Sequence, residues 1–315
     1  MEFFRNTNID FLGKKWYFLG FSLIFSVAGI LSMALWHGIP RGLDFRGGTN
    51  VFVKFADKPN ENAIRAALDK AGLHSARIQT FGQGSNEVLI GLDVKETSEA
   101  DLDRGKNQIL QALQSVAPQG KLDLSNVSAN VVGPQVGSQL QHQATLAVGF
   151  SLLGMLVYLW FRFELIYGLA AVVAVFHDTL ITLGAFSLTN QEITLTVIAA
   201  ILTLVGYSMN DTIVVFDRIR ENIKIMRRES LSEIVNRSIN QTLSRTILTS
   251  GLTFLTVLSL YLFGGEVLRG FSFALVIGII IGTYSSIAVA APMLVAYQDW
   301  RLSRFGRRVP VRAKA

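Results

Sequence analysis

Long apolar runs dominate the pattern of hydrophobic and polar positions along this chain. A helix needs about 20 mostly apolar residues to cross a hydrocarbon core of roughly 30 Å. Six runs approach or exceed that length and are predicted to span a membrane: 16–36, 138–161, 165–188, 193–216, 246–263 and 270–297. The first run is long enough for a retained anchor rather than a cleaved signal peptide. The pattern therefore predicts a polytopic α-helical membrane protein.

A polar stretch of about 100 residues separates the first two spans and is long enough to fold by itself. Alternating apolar positions predict strands at 50–55, 77–81, 87–92 and 125–132, with the hairpin turn at 82–86. Helical spacing predicts helices at 61–71 and 101–116. The order β-α-β-β-α-β is that of a small α+β ferredoxin-like domain with both helices on one face. Such folds bind many kinds of partner, so the order says little about function.

Basic residues indicate the orientation. The N-terminal segment, the second-to-third loop, the fourth-to-fifth loop and the tail carry seventeen Lys and Arg, whereas the short loops on the other side carry only Arg269. The positive-inside rule places both termini in the cytoplasm and the polar domain outside. That domain carries eleven basic and eleven acidic residues, so the net charge of +6 reports topology rather than a nucleic-acid partner.

The predicted organisation follows from these assignments. It comprises a cytoplasmic N-terminus (1–15), a first span (16–36), an outward ferredoxin-like domain (37–137), a five-helix membrane core (138–299) containing a cytoplasmic amphipathic loop (217–245), and a basic tail (300–315). The fourth span is expected to continue as an amphipathic helix to Arg228. Ser230 and Glu233 form a capping box that opens a second amphipathic segment. The simplest role for this pair is to lie against lipid head groups.

Composition excludes several classes of function. The chain has no cysteine, which rules out disulfides, thiolate metal sites and cysteine nucleophiles. Half of the residues are hydrophobic and 17% are charged, so an intrinsically disordered chain is excluded. The glycine clusters lack the P-loop pattern for ATP. No cofactor is expected, and any energy has to come from an ion gradient or from a partner.

Ionisable residues within the spans are the candidate functional residues, because each costs ~2.5–3.5 kcal/mol at the centre of a membrane helix. His177 and Asp178 lie near the middle of the third span, and Asn210 and Asp211 lie towards the cytoplasmic end of the fourth. Arg245 starts the fifth span at a depth similar to that of Asp211, so the two would pair if their helices are neighbours.

Structural roles for the same residues stay open at this point. Arg245 is also suited to be a snorkelling anchor, and Asp211 to bond a helix end. Asp178 and His177 suit either a buried polar clasp or a proton relay. Gly278 and Gly282 have the spacing of a close-packing face, which also arises by chance.

Five motifs occur in one order along nearly the whole chain. They are Gly42-Leu43-Asp44-Phe45-Arg46-Gly47-Gly48-Thr49 after the first span, Val132-Gly133-Pro134-Gln135-Val136-Gly137 before the second, Phe176-His177-Asp178, the run from Gly206 to Asn222 that contains Asn210 and Asp211, and Thr242-Leu243-Ser244-Arg245-Thr246. Together these motifs resemble those of the SecD and SecF family of protein-export proteins. One outward domain of this size fits the smaller of the two members rather than SecD.

The resemblance implies a function. It implies a non-enzymatic subunit of an accessory export complex in the bacterial inner membrane, related in its membrane core to one half of a resistance–nodulation–division transporter. Such a subunit uses the proton motive force to promote late translocation and release of unfolded polypeptides. The implied partners are SecD, YajC and the SecYEG channel with SecA. The resemblance also implies a proton-path role for Asp211 and Arg245, with Asn210, Asp178 and His177 beside them.

Three other functions remain alternatives. A proton-driven small-molecule transporter of the same superfamily would share the proton site, although one modest outward domain leaves little room for a substrate funnel. An intramembrane aspartyl protease would need Asp178 and Asp211 to face each other, and the chain lacks a Gly-x-Gly-Asp motif. A passive scaffold would explain the spans but would not need buried charges.

The charge asymmetry predicts the outcome of reporter fusions. A reporter fused after Ala315 is expected to lie in the cytoplasm, because basic loops are retained inside. A reporter inserted near Gln119 is expected to lie outside. Paired phosphatase and fluorescent reporters measure this directly. An external C-terminal reporter would overturn the orientation.

Overall fold

The computed structural model of the protein describes residues 7–55, 60–74, 76–80, 86–92, 99–116, 128–132, 134–163, 165–226 and 228–305. Its elements in chain order are α1 (Lys15–Leu31), α2 (Leu43–Arg46), β1 (Gly48–Lys54), α3 (Glu61–Lys70), β2 (Arg77–Thr80), β3 (Glu87–Leu92), α4 (Glu99–Val116), β4 (Ser128–Val132), α5 (Pro134–Arg162), α6 (Leu165–Thr189), α7 (Leu195–Ile225), α8 (Leu231–Phe263), α9 (Glu266–Ser285) and α10 (Ala291–Phe305). They form two compact units, one of Met1–Pro40 with Val148–Ala315 and one of Arg41–Ala147.

Six helical segments among the described residues are long and apolar enough to cross a membrane, which confirms the predicted number of spans. They are Lys15–Trp36, Val136–Arg162, Leu165–Thr189, Leu195–Ile225, Leu231–Phe263 and Val267–Arg301. Two contain a π-helical turn, Ser32–Trp36 after α1 and Ser286–Ala290 between α9 and α10. The sixth span is therefore α9, the second π-helical turn and α10 in succession.

The basic loop is mostly helical. α7 continues past its apolar part to Ile225, close to the predicted end at Arg228. The predicted capping box is confirmed, because the Ser230 hydroxyl accepts from the Glu233 backbone N–H while the Glu233 carboxylate accepts from the Ser230 N–H. The helix that begins there continues unbroken to Phe263, so the second amphipathic segment and the fifth span are one helix, α8.

Unit Arg41–Ala147 has the predicted β-α-β-β-α-β order. Its four-stranded antiparallel sheet has the order β2-β3-β1-β4. Val51 opposes Ile90 and Val53 opposes Val88, and α3 and α4 pack on the face these side chains share. β4 is described from Ser128 to Val132, and residues 117–127, like turn residues 81–85, lie outside those described. The ferredoxin-like prediction is confirmed.

The glycine motifs bring two backbone segments together within this unit. Gly47 ends the short helix α2 with a φ of 73°, a conformation that side chains with a Cβ rarely adopt. A Cβ on Gly137, in the first turn of α5, would lie 3.1 Å from the Gly47 nitrogen and 3.2 Å from the Phe45 oxygen. This close approach explains glycine at both positions, whereas Gly133 lies outside the described residues.

In unit Met1–Pro40 with Val148–Ala315, α9 packs closely against α7. A Cβ on Gly278 would overlap the side chain of Leu204, and one on Gly282 would lie 3.0 Å from the Ser208 Cβ. Glycines four residues apart let the two backbones approach. The close-packing interpretation of Gly278 and Gly282 is therefore confirmed, and it brings the polar residues of α7 within reach of α9.

The glycine contacts predict opposite effects of one substitution at two positions of α5. Gly137→Ala is expected to lower the thermal stability of the protein, because the methyl group meets the backbone of Phe45 and Gly47. Gly149→Ala in the same helix is the control, since a Cβ there meets open space. It is expected to raise stability by roughly 0.5–1 kcal/mol, the usual gain for a helical glycine. Equal shifts in thermal unfolding would contradict the proposed contact.

Candidate functional site

Two buried carboxylates define the candidate site. Asp178 on α6 is 1% exposed and Asp211 on α7 is 2% exposed, and both lie within candidate membrane spans. A carboxylate without hydrogen bonds or an opposite charge is costly in such surroundings. The partners of each carboxylate therefore indicate what it does.

Hydroxyl groups from two other helices enclose Asp178. Its Oδ2 accepts hydrogen bonds from the hydroxyls of Ser208 on α7, at 2.6 Å, and Ser285 on α9, at 2.8 Å. The Nδ1 of His177 lies 3.0 Å from its Oδ1. These three contacts join α6, α7 and α9 through one side chain. Ser285 is also the last residue of α9 before the π-helical turn, so Asp178 holds the point where the helix geometry changes.

Asp211 has a different environment. Its Oδ2 accepts a hydrogen bond of 2.8 Å from the hydroxyl of Ser250 on α8. The Thr283 side chain on α9 faces the same carboxylate, and Arg245 attracts it electrostatically. Within the part of the chain that the structure describes, however, no ion pair shorter than 4.0 Å joins Arg245 to Asp211.

Helix geometry explains why Asp211 and Arg245 form no such ion pair although they lie at similar depth in the membrane. Arg245 and Ser250 are five residues apart on α8, so their side chains point ~140° apart around the helix axis. Because Ser250 faces Asp211, Arg245 is directed away and is exposed on the surface of the chain. The adjacent Asn210 is likewise exposed, although Asp211 beside it is buried.

Exposed polar side chains occur on both helices, at Thr203 and Asn210 of α7 and at Arg245 and Thr249 of α8, and we call these positions the polar face. Polar groups on the outside of membrane spans are unfavourable against lipid and usually face protein or water. This polar face therefore differs from the apolar outer surfaces of α1 and α5, which suit lipid.

The two carboxylates share no hydrogen-bond partner among the described residues. In the catalytic pair of an aspartyl protease, both carboxylates share one proton at about 3 Å. Here the hydroxyl partners of Asp178 are Ser208 and Ser285, whereas that of Asp211 is Ser250. The geometry thus opposes the protease alternative. Among the described residues, no group of three or more His, Asp or Glu side chains is arranged to hold a metal ion.

Sequence reasoning missed the hydroxyl partners. Serine and threonine occur throughout the spans, and most of their hydroxyls bond a carbonyl of their own helix, as Thr182 and Thr212 do. Nothing in a single span distinguishes Ser208, Ser250 or Ser285 from these. A usable signal would have been the pairing of a buried Asp with hydroxyls at matching depth in other spans.

These features define a polytopic membrane protein with carboxylates buried in its spans and a small α+β domain between the first two. The family model described as "Protein export membrane protein SecD/SecF, C-terminal" matches residues 111–300. The chain is 57% identical to the protein translocase subunit SecF of Koribacter versatilis, over 98% of this chain and 96% of that protein. It is 45% identical to SecF of Calditerrivibrio nitroreducens, over 96% and 98%.

A solved structure agrees with these sequence relatives. The crystal structure of SecDF from Thermus thermophilus, a translocon-associated membrane protein, superposes with a TM-score of 0.82 and 36% identity, over 93% of this chain and 39% of that one. The chain thus spans about two fifths of the solved protein. It belongs to the SecF family of protein translocase subunits.

The contacts of Asp178 predict a loss of stability on substitution. Asp178→Ala removes both carboxylate oxygens, so the hydroxyls of Ser208 and Ser285 lose their common acceptor. The expected loss is about 1–3 kcal/mol in the free energy of unfolding. Asp217→Ala is the control, because its ion pair with Arg162 is exposed and should contribute less than about 1 kcal/mol. Equal losses of stability for the two variants, measured by thermal unfolding in detergent, would contradict the role of Asp178 as a clasp between helices.

Proposed function

We propose that this chain is the SecF subunit of a SecD–SecF accessory complex of the Sec translocase, and that it uses the proton motive force to promote late translocation and release of polypeptides. The observation that carries the proposal is the Asp211 carboxylate, which is buried between α7, α8 and α9 with a hydroxyl partner and no contact ion pair among the described residues. The protein acts here through ion-driven movement, without catalytic chemistry of its own.

The physical step is a change of charge on Asp211. Moving one charge across 100 mV supplies ~2.3 kcal/mol, which is enough to bias two packings of a helix bundle. Ionised Asp211 is stabilised by the Ser250 hydroxyl and by the nearby positive charge of Arg245. Protonation removes that attraction and weakens the hydrogen bond. A change in the α7–α8 contact follows, and the spans carry it to the outward domain.

Asp178 has a different role in this proposal. Its carboxylate accepts hydrogen bonds from two serine hydroxyls and contacts His177, so one side chain joins three helices. We assign it as the clasp that keeps α6, α7 and α9 together while the contact between α7 and α8 at Asp211 changes. His177 acts here as the third contact of the clasp.

SecD is the proposed partner that covers the polar face of α7 and α8. The face carries Arg245 and Asn210 outward within membrane spans, which suits a protein neighbour better than lipid. The solved relative is a SecDF protein, and its chain continues well beyond the part that resembles this one. A SecD-like chain in the same membrane would contribute the groups that meet Arg245.

The wider assembly and location belong to the same proposal. We place the protein in the bacterial inner membrane with both termini cytoplasmic and the ferredoxin-like domain outside, as the basic loops indicate. We propose YajC and the SecYEG channel with SecA as further partners, with H⁺ as the coupling ion. Co-purification from native membranes tests the partners directly.

The proposal predicts that Asp211→Asn abolishes the gradient-dependent part of export. The substitution keeps size and hydrogen bonding but removes the titration. Complexes reconstituted in vesicles with the translocase are expected to export a substrate at the rate seen without a gradient, while assembly and folding are unchanged. Asp299→Asn is the control, because Asp299 is exposed at the end of the sixth span.

The outcomes separate the alternatives. If the Asp211→Asn complex responds to an imposed gradient as the parent does, the assignment of this residue fails. If neither parent nor variant responds, the protein is a passive scaffold. Sensitivity of a deletion strain to small toxic compounds, with normal secretion, would instead favour a small-molecule transporter.

A further inference from the structure

The two buried carboxylates differ in how completely they are hydrogen bonded. Asp178 has three contacts of good geometry, from His177, Ser208 and Ser285. Asp211 has one, from Ser250, within the described part of the chain. A carboxylate has about four acceptor positions, so Asp211 retains capacity for further donors.

Two hydroxyls on the helices that contact Asp211 are also without partners among the described residues. The Oγ1 atoms of Thr246 and Thr283 are buried, and neither makes a hydrogen bond within the described residues. Most described threonines in these spans do make one: the Thr242 hydroxyl, one turn before Thr246, donates to the Ser238 and Ile239 carbonyls. A buried hydroxyl without a partner is unfavourable, so a pair of them on the helices around one carboxylate calls for a ligand.

The three groups converge from three helices. Thr246 lies one turn before Ser250 on α8, so both point to the side of the helix that faces Asp211. Thr246 is 2% exposed. Thr283 approaches the same carboxylate from α9, where it faces Asp211 without the geometry of a direct hydrogen bond. Thr246 and Thr283 thus lie on the faces of α8 and α9 that are turned towards Asp211.

We propose that Asp211, Thr246 and Thr283 bind one water molecule, which is the immediate proton donor and acceptor of Asp211. A buried water needs two to four polar partners, and a carboxylate with two hydroxyls supplies three. The water donates a hydrogen bond to the Asp211 carboxylate. The threonine hydroxyls orient the water and prevent its displacement by lipid or by a side chain.

The transfer step balances with the gradient as the proton source. A proton that reaches the water makes it a hydronium ion, one O–H bond of which breaks as an O–H bond forms on the carboxylate. Neutral water and a neutral carboxyl group remain. Release reverses the step. The binding of water stands on geometry alone, whereas its part in proton transfer rests on the proposed function.

The test uses Thr→Val, which keeps the shape of the side chain and removes only the hydroxyl. If Thr246 and Thr283 hold a water, Thr246→Val, Thr283→Val and the double variant lower the melting temperature of the purified protein, because Asp211 loses its hydrogen-bonded water. If the hydroxyls bind nothing, the same variants raise the melting temperature, because an unsatisfied polar group is replaced by a methyl group. Thr242→Val is the matched control in the same helix and should change it little, because its hydroxyl only bonds carbonyls of its own helix.

Export supplies the second measurement. In the double Val variant, gradient-dependent export is expected to fall about tenfold or more, and the pH of half-maximal export to move by about one unit or more, since the carboxylate has lost its solvating water. The matching Thr→Ser variants keep a hydroxyl and should restore both values. A loss that Ser does not restore would show a packing defect and overturn the proposal.

The outcomes distinguish this inference from the proposed function. A raised melting temperature with full export overturns the water site, whatever Asp211 does. A lowered melting temperature with unchanged gradient-dependent export overturns the transfer step and leaves only a bound water. If Asp211→Asn is itself without effect on export, the proposed function fails, while the melting temperatures still decide whether water is bound.

Discussion

The close packing of α7 against α9 is the contact on which the rest of the membrane unit depends. Gly278 and Gly282 present no side chain to Leu204 and Ser208, so the two helix backbones approach more closely than larger residues allow. Only at that separation can the Ser285 hydroxyl on α9 and the Ser208 hydroxyl on α7 reach one carboxylate of α6. The same approach brings Thr283 to the Asp211 side of α7. Two glycines therefore determine the surroundings of both carboxylates.

Ser208 and Asp211 lie three residues apart on α7, which is ~4.5 Å along the helix axis. One residue binds the clasp and the other is the carboxylate that we assign as ion-responsive. The Asp178 carboxylate accepts from Ser208 and Ser285, whereas Asp211 accepts from Ser250 alone among the described residues. One turn of α7 therefore places a fixed contact directly beside a variable one.

Local patterns made most of the fold predictable. Apolar runs predicted the six spans, period-two alternation predicted the sheet strands, and Ser230 with Glu233 predicted the start of α8. The hydroxyl partners were not predictable, because Asp178 meets Ser285 across 107 residues of sequence and the helix neighbours are set by packing. The orientation of Arg245 was missed for a related reason. Similar depth in the membrane does not determine which way a side chain points around its helix, and here it points away from Asp211.

α8 runs without a break from the basic loop that follows α7 to the Asp211 site. Near its start, the side-chain amides of Asn236 and Asn240 donate to the Ile9 carbonyl, and the side-chain Oδ1 of Asn240 accepts from the Ile9 N–H at 2.9 Å. Farther along the same helix, Ser250 binds Asp211. The first turns are also tied to α7, because the side chain of Asn222 donates to Ser238 and Gln241 and that of Arg218 donates to Gln241. Loss of the Asp211 contact is therefore expected to loosen α8 around Ser250, while its first turns remain tied to the N-terminal segment and to α7.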